Sequence, residues 1–155
     1  AGSISYLLSI NSTQSSHSTM VSKKCKYAIK AILYIARNEA EDRSIFASKI
    51  AKNENIPQKF LESILRELCN HRVLLSKRGR YGGYRLLKKP SEISFTEIMR
   101  IMDGPIALMP CVSLNYYTPC DECKQEENCA IRAVFLLVRD ATLDIFNDAT
   151  IDKLA

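Results

Sequence analysis

The stretch Arg78-Gly-Arg-Tyr-Gly-Gly83 narrows most sharply what this chain can become. Its glycines can take positive φ, and so reverse the chain tightly where other residues would be strained. It lies between Val73-Leu-Leu-Ser-Lys77 and Tyr84-Arg-Leu-Leu87, two runs suited to strands, so a β-hairpin is expected. What precedes it reads as helical. Ser22 is placed to cap a helix over 23–38, with Ala28, Ala31, Ile32 and Ile35 on its buried face. A charged loop, 39–43, leads to a short strand at 44–46 and a short helix over 47–53. After the turn Asn55-Ile56, Pro57 takes the first position of a helix, where its missing N–H costs nothing. That helix runs to about His71, with Leu61, Ile64, Leu65 and Leu68 on one side. Helix, short helix, turn, helix, hairpin is the order of a winged helix-turn-helix, whose second motif helix normally enters the major groove.

Pro90 breaks this pattern. Ser94-Phe-Thr-Glu97 is a capping box, and the helix it opens stops at Asp103-Gly104-Pro105. A long helix is expected over 130–147. One apolar stripe holds Ile131, Val134, Val138 and Ile145, and another holds Phe135, Leu136, Leu143 and Phe146. A helix apolar on so much of its circumference must bury more than one face, so one face is expected to meet a second copy of the chain. The fold class expected is mainly α, a winged helix-turn-helix with a small β-hairpin wing and a long C-terminal dimerisation helix. The domains expected are a DNA-binding domain over 20–89 and a cluster-binding loop with the dimerisation helix over 90–155. Residues 1–19 carry no charge and are rich in Ser, Thr, Asn and Gln. They read as a non-native leader or a flexible arm and are set aside from the fold. The longest apolar run, 133–138, is far short of the roughly 20 residues of a spanning helix.

Charge is divided unevenly. Residues 20–89 hold 17 Lys and Arg against 6 Asp and Glu, whereas residues 90–155 hold 5 against 11. A basic half attracts a polyanion through steering and counterion release. Gln58, Lys59, Glu62, Ser63 and Arg66 lie on the outer side of the 57–71 helix, within reach of base edges or phosphates. Lys77, Arg78, Arg80 and Tyr81 lie at the hairpin tip, suited to a minor groove or the flanking backbone. Arg85 is a further cation of the hairpin. Any one of these is an ordinary surface residue. On two adjacent elements of a helix-turn-helix they point to double-stranded DNA. Glu62 is the awkward member, repelled by phosphate unless it accepts from a cytosine amino group.

Lys26-Tyr27-Ala28, Ile56, Phe60-Leu61-Glu62, Arg78-Gly79, Gly82-Gly83-Tyr84 and Leu86 together resemble the Rrf-two family, the IscR/NsrR-type bacterial winged-helix regulators. The resemblance runs from Met20 to Leu154. It implies a homodimeric transcription factor on an imperfectly palindromic operator. It also implies that Gln58, Lys59 and Glu62 fall in the base-reading segment and that Arg78 is the wing arginine.

Four of the six cysteines crowd into Cys111-x8-Cys120-x2-Cys123-x5-Cys129. Structural disulfides do not suit a DNA-binding protein expected in the reducing cytoplasm. Zinc favours two closely spaced pairs, and there is one C-x-x-C here. A metal-free thiol switch on Cys120 and Cys123 is another reading. An iron–sulfur cluster needs soft thiolates on an irregular loop, and Pro110, Asn115, Pro119, Asp121 and Asn128 keep this one irregular. The resemblance implies that cluster, held by three cysteines and a variable fourth ligand. The histidine of the IscR branch is replaced by Arg132, and the first-helix aspartate of the NsrR branch by Lys26. Ligation by Cys111, Cys120, Cys123 and Cys129 is therefore expected, to a 2Fe-2S or 4Fe-4S cluster, with zinc as the alternative. Arg132, Lys124 and the helix start would offset the thiolate charge, against Asp121, Glu122, Glu126 and Glu127. Cys69 and Cys25 read as small buried hydrophobes.

No Ser/His/Asp set and no phosphate loop is present. A thiol–disulfide oxidoreductase built on Cys120 and Cys123 lacks the βαβ context of that chemistry. The expected function is a cytoplasmic transcriptional regulator that senses cluster status, redox state or nitric oxide. The alternative is the same DNA-binding protein with structural zinc or no metal, controlled by a protein partner or by thiol oxidation.

Overall fold

The computed structural model describes residues 21–38, 43–123 and 125–155. The expected leader, most of the charged loop at 39–43, and Lys124 lie outside the described residues. The element order is α1 (Lys23–Asn38), α2 (Ala47–Glu54), α3 (Gln58–Asn70), β1 (Leu74–Lys77), β2 (Gly83–Leu86), α4 (Phe95–Met102), α5 (Ala130–Asp148) and α6 (Ile151–Leu154). Single 3₁₀ turns occur at Pro90–Glu92, Pro110–Val112 and Glu126–Asn128. Among the described residues, no helix is long and apolar enough to cross a membrane.

The head forms as its pattern dictates. α1 buries Cys25, Ala28, Ala31, Ile32 and Ile35, and α3 buries Leu61, Ile64, Leu65 and Leu68. Fully burying one such aliphatic side chain contributes roughly 1.5–3 kcal/mol, so these faces fix the angle between the helices. Ser22 Oγ accepts from the Cys25 amide at 3.0 Å and caps α1. Pro57 sits one position earlier than expected, at the N-cap of α3, where its carbonyl accepts from the Leu61 amide at 2.9 Å. The strand expected at 44–46 shrinks to one bridge. Ile45 and Tyr84 exchange two backbone hydrogen bonds of 2.8 Å along the free edge of β2.

That edge explains the glycine pair. Gly83 has φ +129, and a Cβ there would lie 2.5 Å from the carbonyl carbon and oxygen of Ile45. A Cβ on Gly82 would lie 2.5 Å from the Lys77 carbonyl oxygen. The turn closes, and the wing docks on Ile45, only without those side chains. β1 and β2 pair antiparallel, with Leu74 opposite Leu86 and Lys77 opposite Gly83.

The buried cluster continues past residue 89. Ile93, Ile98, Met99, Met102 and Ile151 join the side chains of α1 and α3. Ser94 caps α4 by accepting from the Glu97 amide at 3.3 Å. The Glu97 carboxylate turns to Lys88 and pairs with it. At the other end of α4, Asp103 accepts from the Ser22 amide at 2.8 Å and also from the Ser22 hydroxyl, tying α4 to the start of α1. The short α6 has no counterpart among the expected elements. Ile151 is fully buried, and its amide donates to the Ile93 carbonyl at 3.0 Å. On α5 the two stripes part company. Leu143 is buried and Phe146 packs near Phe95, with ring centroids 6.3 Å apart. Ile131, Val134, Leu137 and Ile145 are 58–71% exposed.

Candidate nucleic-acid interface and cysteine loop

A groove of about 620 Å³ separates α3 from the wing. Gln58, Glu62 and Arg66 line one wall, and Lys77, Arg78 and Gly79 the other, with Ser48 and Tyr84 completing it. Of the expected DNA-reading residues, Gln58, Glu62, Arg66, Lys77 and Arg78 thus share one concavity. Lys59 and Ser63 are exposed on α3 outside it, and Arg80 and Tyr81 are exposed at the hairpin tip. The Arg80 guanidinium lies 5.9 Å from the centre of the Tyr81 ring. Ser63 Oγ donates to the Phe60 carbonyl of its own helix at 2.7 Å and stays at the exposed surface of α3.

Glu62 is not isolated. Gln58 Nε2 donates to Glu62 Oε1 at 2.9 Å, an i, i+4 pair that holds the carboxylate along the α3 wall of the groove. Lys59, Arg66, Lys77, Arg78 and Arg80 form no ion pair with the described residues, which leaves their charge available to a polyanion. Cys69, expected as part of the core, is half-buried and lines the groove; burial pushes its thiol up and a hydrogen bond with Ser76 draws it partly back. Burial likewise pushes the Tyr84 phenol up. Ser48 and Tyr84 are groove residues that the sequence pattern did not single out, although Tyr84 closes the glycine motif that marks the wing. Cys25 is fully buried as expected, and burial followed by the charge of Asp103 pushes its thiol up to about 11.

The cysteine loop joins α4 to α5. Cys129 is the N-cap of α5, and its Sγ accepts from the Arg132 amide at 3.4 Å. Cys123 Sγ donates to Cys129 Sγ at 3.7 Å. The Cys123 amide donates to the Cys120 carbonyl at 3.2 Å, which folds the C-x-x-C into a turn. Hydrogen bonds with Cys120 and then Cys129 push the Cys123 thiol up to about 12. The amide of Arg132, ahead of the hydrogen bond from Cys123, lowers Cys129. The amides at the helix start and the Cys123 contact therefore outweigh burial at Cys129, and the Arg132 guanidinium adds a lesser effect. Arg132 Nε points elsewhere, to the Cys111 carbonyl at 3.3 Å and to Glu126 at 3.7 Å. Tyr117 in turn donates to the Glu126 carboxylate at 2.7 Å. Arg139, further along α5, donates to the Val112 carbonyl at 2.8 Å. Two arginines of α5 thus hold the 3₁₀ turn around Cys111, whose own side chain is buried.

A tetrahedral metal with sulfur ligands at about 2.3 Å holds them about 3.8 Å apart. The Cys123–Cys129 spacing of 3.7 Å matches that edge. No set of three or more Cys, His, Asp or Glu side chains among the described residues converges closely enough to hold a metal ion. Two soft sulfur donors, Cys123 and Cys129, are thus in contact, while Cys120 lies in the adjoining turn and the Cys111 side chain is buried.

Residues 21–155 match the Rrf2 family, described as iron-dependent transcriptional regulators. The chain belongs to the Rrf2 family. An rrf2-like HTH-type transcriptional regulator of Rhodobacter capsulatus is 41% identical over 137 residues, covering 87% of this chain and 91% of that protein. The HTH-type transcriptional regulator CymR of Bacillus subtilis is 28% identical over 135 residues, covering 87% of this chain and 88% of that one. The solved structure of CymR, the global cysteine regulator of B. subtilis, superposes with a TM-score of 0.72 at 25% identity, over 87% of this chain and 95% of that one. This Rrf2 protein is accordingly a winged-helix, DNA-binding transcriptional regulator and not an enzyme.

Proposed function

We propose that this Rrf2 regulator is a cytoplasmic homodimer on an imperfectly palindromic operator, its affinity set by a cysteine-ligated iron–sulfur cluster, 2Fe-2S or 4Fe-4S. The cluster reports its own status, redox state or nitric oxide. Gln58, Lys59, Glu62, Ser63 and Arg66 present α3 to base edges and phosphates. Lys77, Arg78, Arg80 and Tyr81 carry the wing onto the flanking backbone or minor groove. The hydrogen bond from Gln58 presets Glu62 to accept from a cytosine amino group. The exposed stripe of α5, Ile131, Val134, Leu137 and Ile145, is the surface on which a second copy would pack.

The observation that carries the metal reading is the pair of sulfurs at the start of α5, set 3.7 Å apart. Cys120, Cys123 and Cys129 would hold the group, with Cys111 as the fourth donor. When bound, it supplies iron centres open to oxidation and to nitric oxide. Everything else is done by the chain. Cys129 fixes the N-terminus of α5, Phe146 carries the position of α5 to α4 through Phe95, and Asp103 carries that of α4 to Ser22 at the head of α1. A change at Cys129 therefore has a contiguous packed route to the spacing of two reading heads.

Anaerobic purification, followed by iron, sulfide and zinc counts and a visible spectrum, tests this directly. Iron and sulfide in equal amounts, with a coloured spectrum lost in a folded Cys129→Ser dimer, are expected. Colourless, iron-free protein after reconstitution contradicts the cluster, and one zinc per chain replaces it with a structural metal.

A further inference from the structure

We infer that, in the metal-free protein, Cys123 and Cys129 are a peroxide-responsive thiol pair that closes into an intramolecular disulfide and thereby shuts the metal site. This deepens the metal reading above, since it names what competes for the same sulfurs. Its own chemistry needs no metal.

The ground is geometric. The two sulfurs are already in contact at 3.7 Å, with Cys123 donating to Cys129. Both residues are half-exposed, so a small oxidant reaches them. Cys129 heads a 19-residue helix and accepts the Arg132 amide at 3.4 Å, which stabilises developing negative charge on its sulfur. The described residues between them include the 3₁₀ turn Glu126–Asn128, which leads directly into Cys129. Closing to an S–S bond of about 2.05 Å requires the sulfurs to approach by about 1.7 Å, within the reach of two side-chain rotations and a small shift of that turn. Cys25 is fully buried and Cys111 nearly so. Cys120, whose carbonyl accepts from the Cys123 amide at 3.2 Å, is the rival partner.

The chemistry balances with hydrogen peroxide as the oxidant. The Cys129 sulfur attacks one peroxide oxygen, the O–O bond breaks, and the departing hydroxide leaves as water with the Cys129 proton. Cys129 is then a sulfenic acid. The Cys123 sulfur attacks the Cys129 sulfur, the S–O bond breaks, and a second water leaves with the Cys123 proton. Two electrons pass from the thiol pair to peroxide, and a dithiol reductant reverses the bridge.

The test uses the full chain, stripped of metal, reduced, and then treated with a small excess of hydrogen peroxide. Free thiols are expected to fall from six to four per chain. Trypsin cuts after Lys124, so the expected bridge joins fragment 101–124 to fragment 125–132, which contains Cys129 alone among the cysteines. The linked pair is expected to persist in Cys120→Ser. It is expected to vanish in Cys123→Ser, where Cys129 is trapped by a sulfenic-acid reagent. A bridge confined to 101–124, a link between two chains, or over-oxidised Cys129 without a bridge overturns the inference. The oxidised protein is further expected to refuse iron until reduced. If reduced protein also takes no iron, the cluster reading fails while the disulfide map still stands or falls alone.

Discussion

The first and last long helices of this chain are built on opposite terms. The 16 residues of α1 bury five side chains, whereas the 19 residues of α5 bury only Leu143. α1 meets α3 and α4 within a closed core, and its polar face carries the charge. α5 leaves Leu137 71% exposed, with Ile131, Val134 and Ile145 close behind. The charge division runs the same way, since the half around α1 to β2 is strongly basic and the half around α5 is acidic. The helices of the basic head are packed into the common core, with its charged residues left outside. The other half leaves an apolar helix face uncovered, the face on which the proposed second copy would pack.

That contrast predicts unequal responses to substitution. Leu65→Ala, at a fully buried position, is expected to lower stability by about 3 kcal/mol in denaturant titrations, from reduced burial plus a cavity. Leu137→Asp, on the exposed stripe, is expected to leave the head folded by circular dichroism yet yield monomers in sedimentation. Comparable unfolding by both would erase the distinction between the two halves.

Arg78→Ala probes the head alone. Operator affinity is expected to fall by about tenfold. The log–log salt slope is expected to drop by about 0.9 for each phosphate that Arg78 no longer neutralises, and so by about 1.8 for a dimer. An unchanged salt slope would remove Arg78 from the interface. The cysteines sharpen the contrast in another way. In metal-free, reduced protein at pH 8, iodoacetamide is expected to label Cys129 early. The Cys25 thiol, pushed up to about 11, holds about a hundredfold less thiolate than an ordinary cysteine and is expected to react only in denaturant. Mass mapping over time reads both. The smallest effect belongs to Lys24 and Glu67, which pair at 2.6 Å on the flank of the head with side chains 33% and 32% exposed. A double-mutant cycle is expected to give about 0.5 kcal/mol, fading with salt.

The head was legible in the sequence because each of its elements carries local punctuation. Ser22, the turn before Pro57 and the glycines at 82 and 83 mark boundaries through backbone chemistry, and the buried stripes of α1 and α3 follow helical periodicity. What escaped was decided across distance. The carboxylate of Asp103 reads as part of a helix stop, and only the fold brings it to Ser22. α6 is too short to show periodicity, and its Ile151 is buried because the fold sets Ile93 opposite it. Glu62 looks misplaced in the sequence because its partner Gln58 shows only when both side chains are in place. In the loop, spacing marks the cysteines but not their pairing. Cys123 meets Cys129 because a helix start holds one sulfur in place, and Arg132 serves through its amide more than through its charge.

The central claim is that the metal state of the cysteine loop sets the grip of the basic head on DNA. The most direct measurement is a pair of binding isotherms taken without oxygen, before and after iron removal from one preparation, on a duplex selected from a random library by the loaded protein. A shift of about tenfold or more between the two, abolished in Cys129→Ser, is the predicted result. Superimposable isotherms from protein shown to carry iron in one state and none in the other would contradict it.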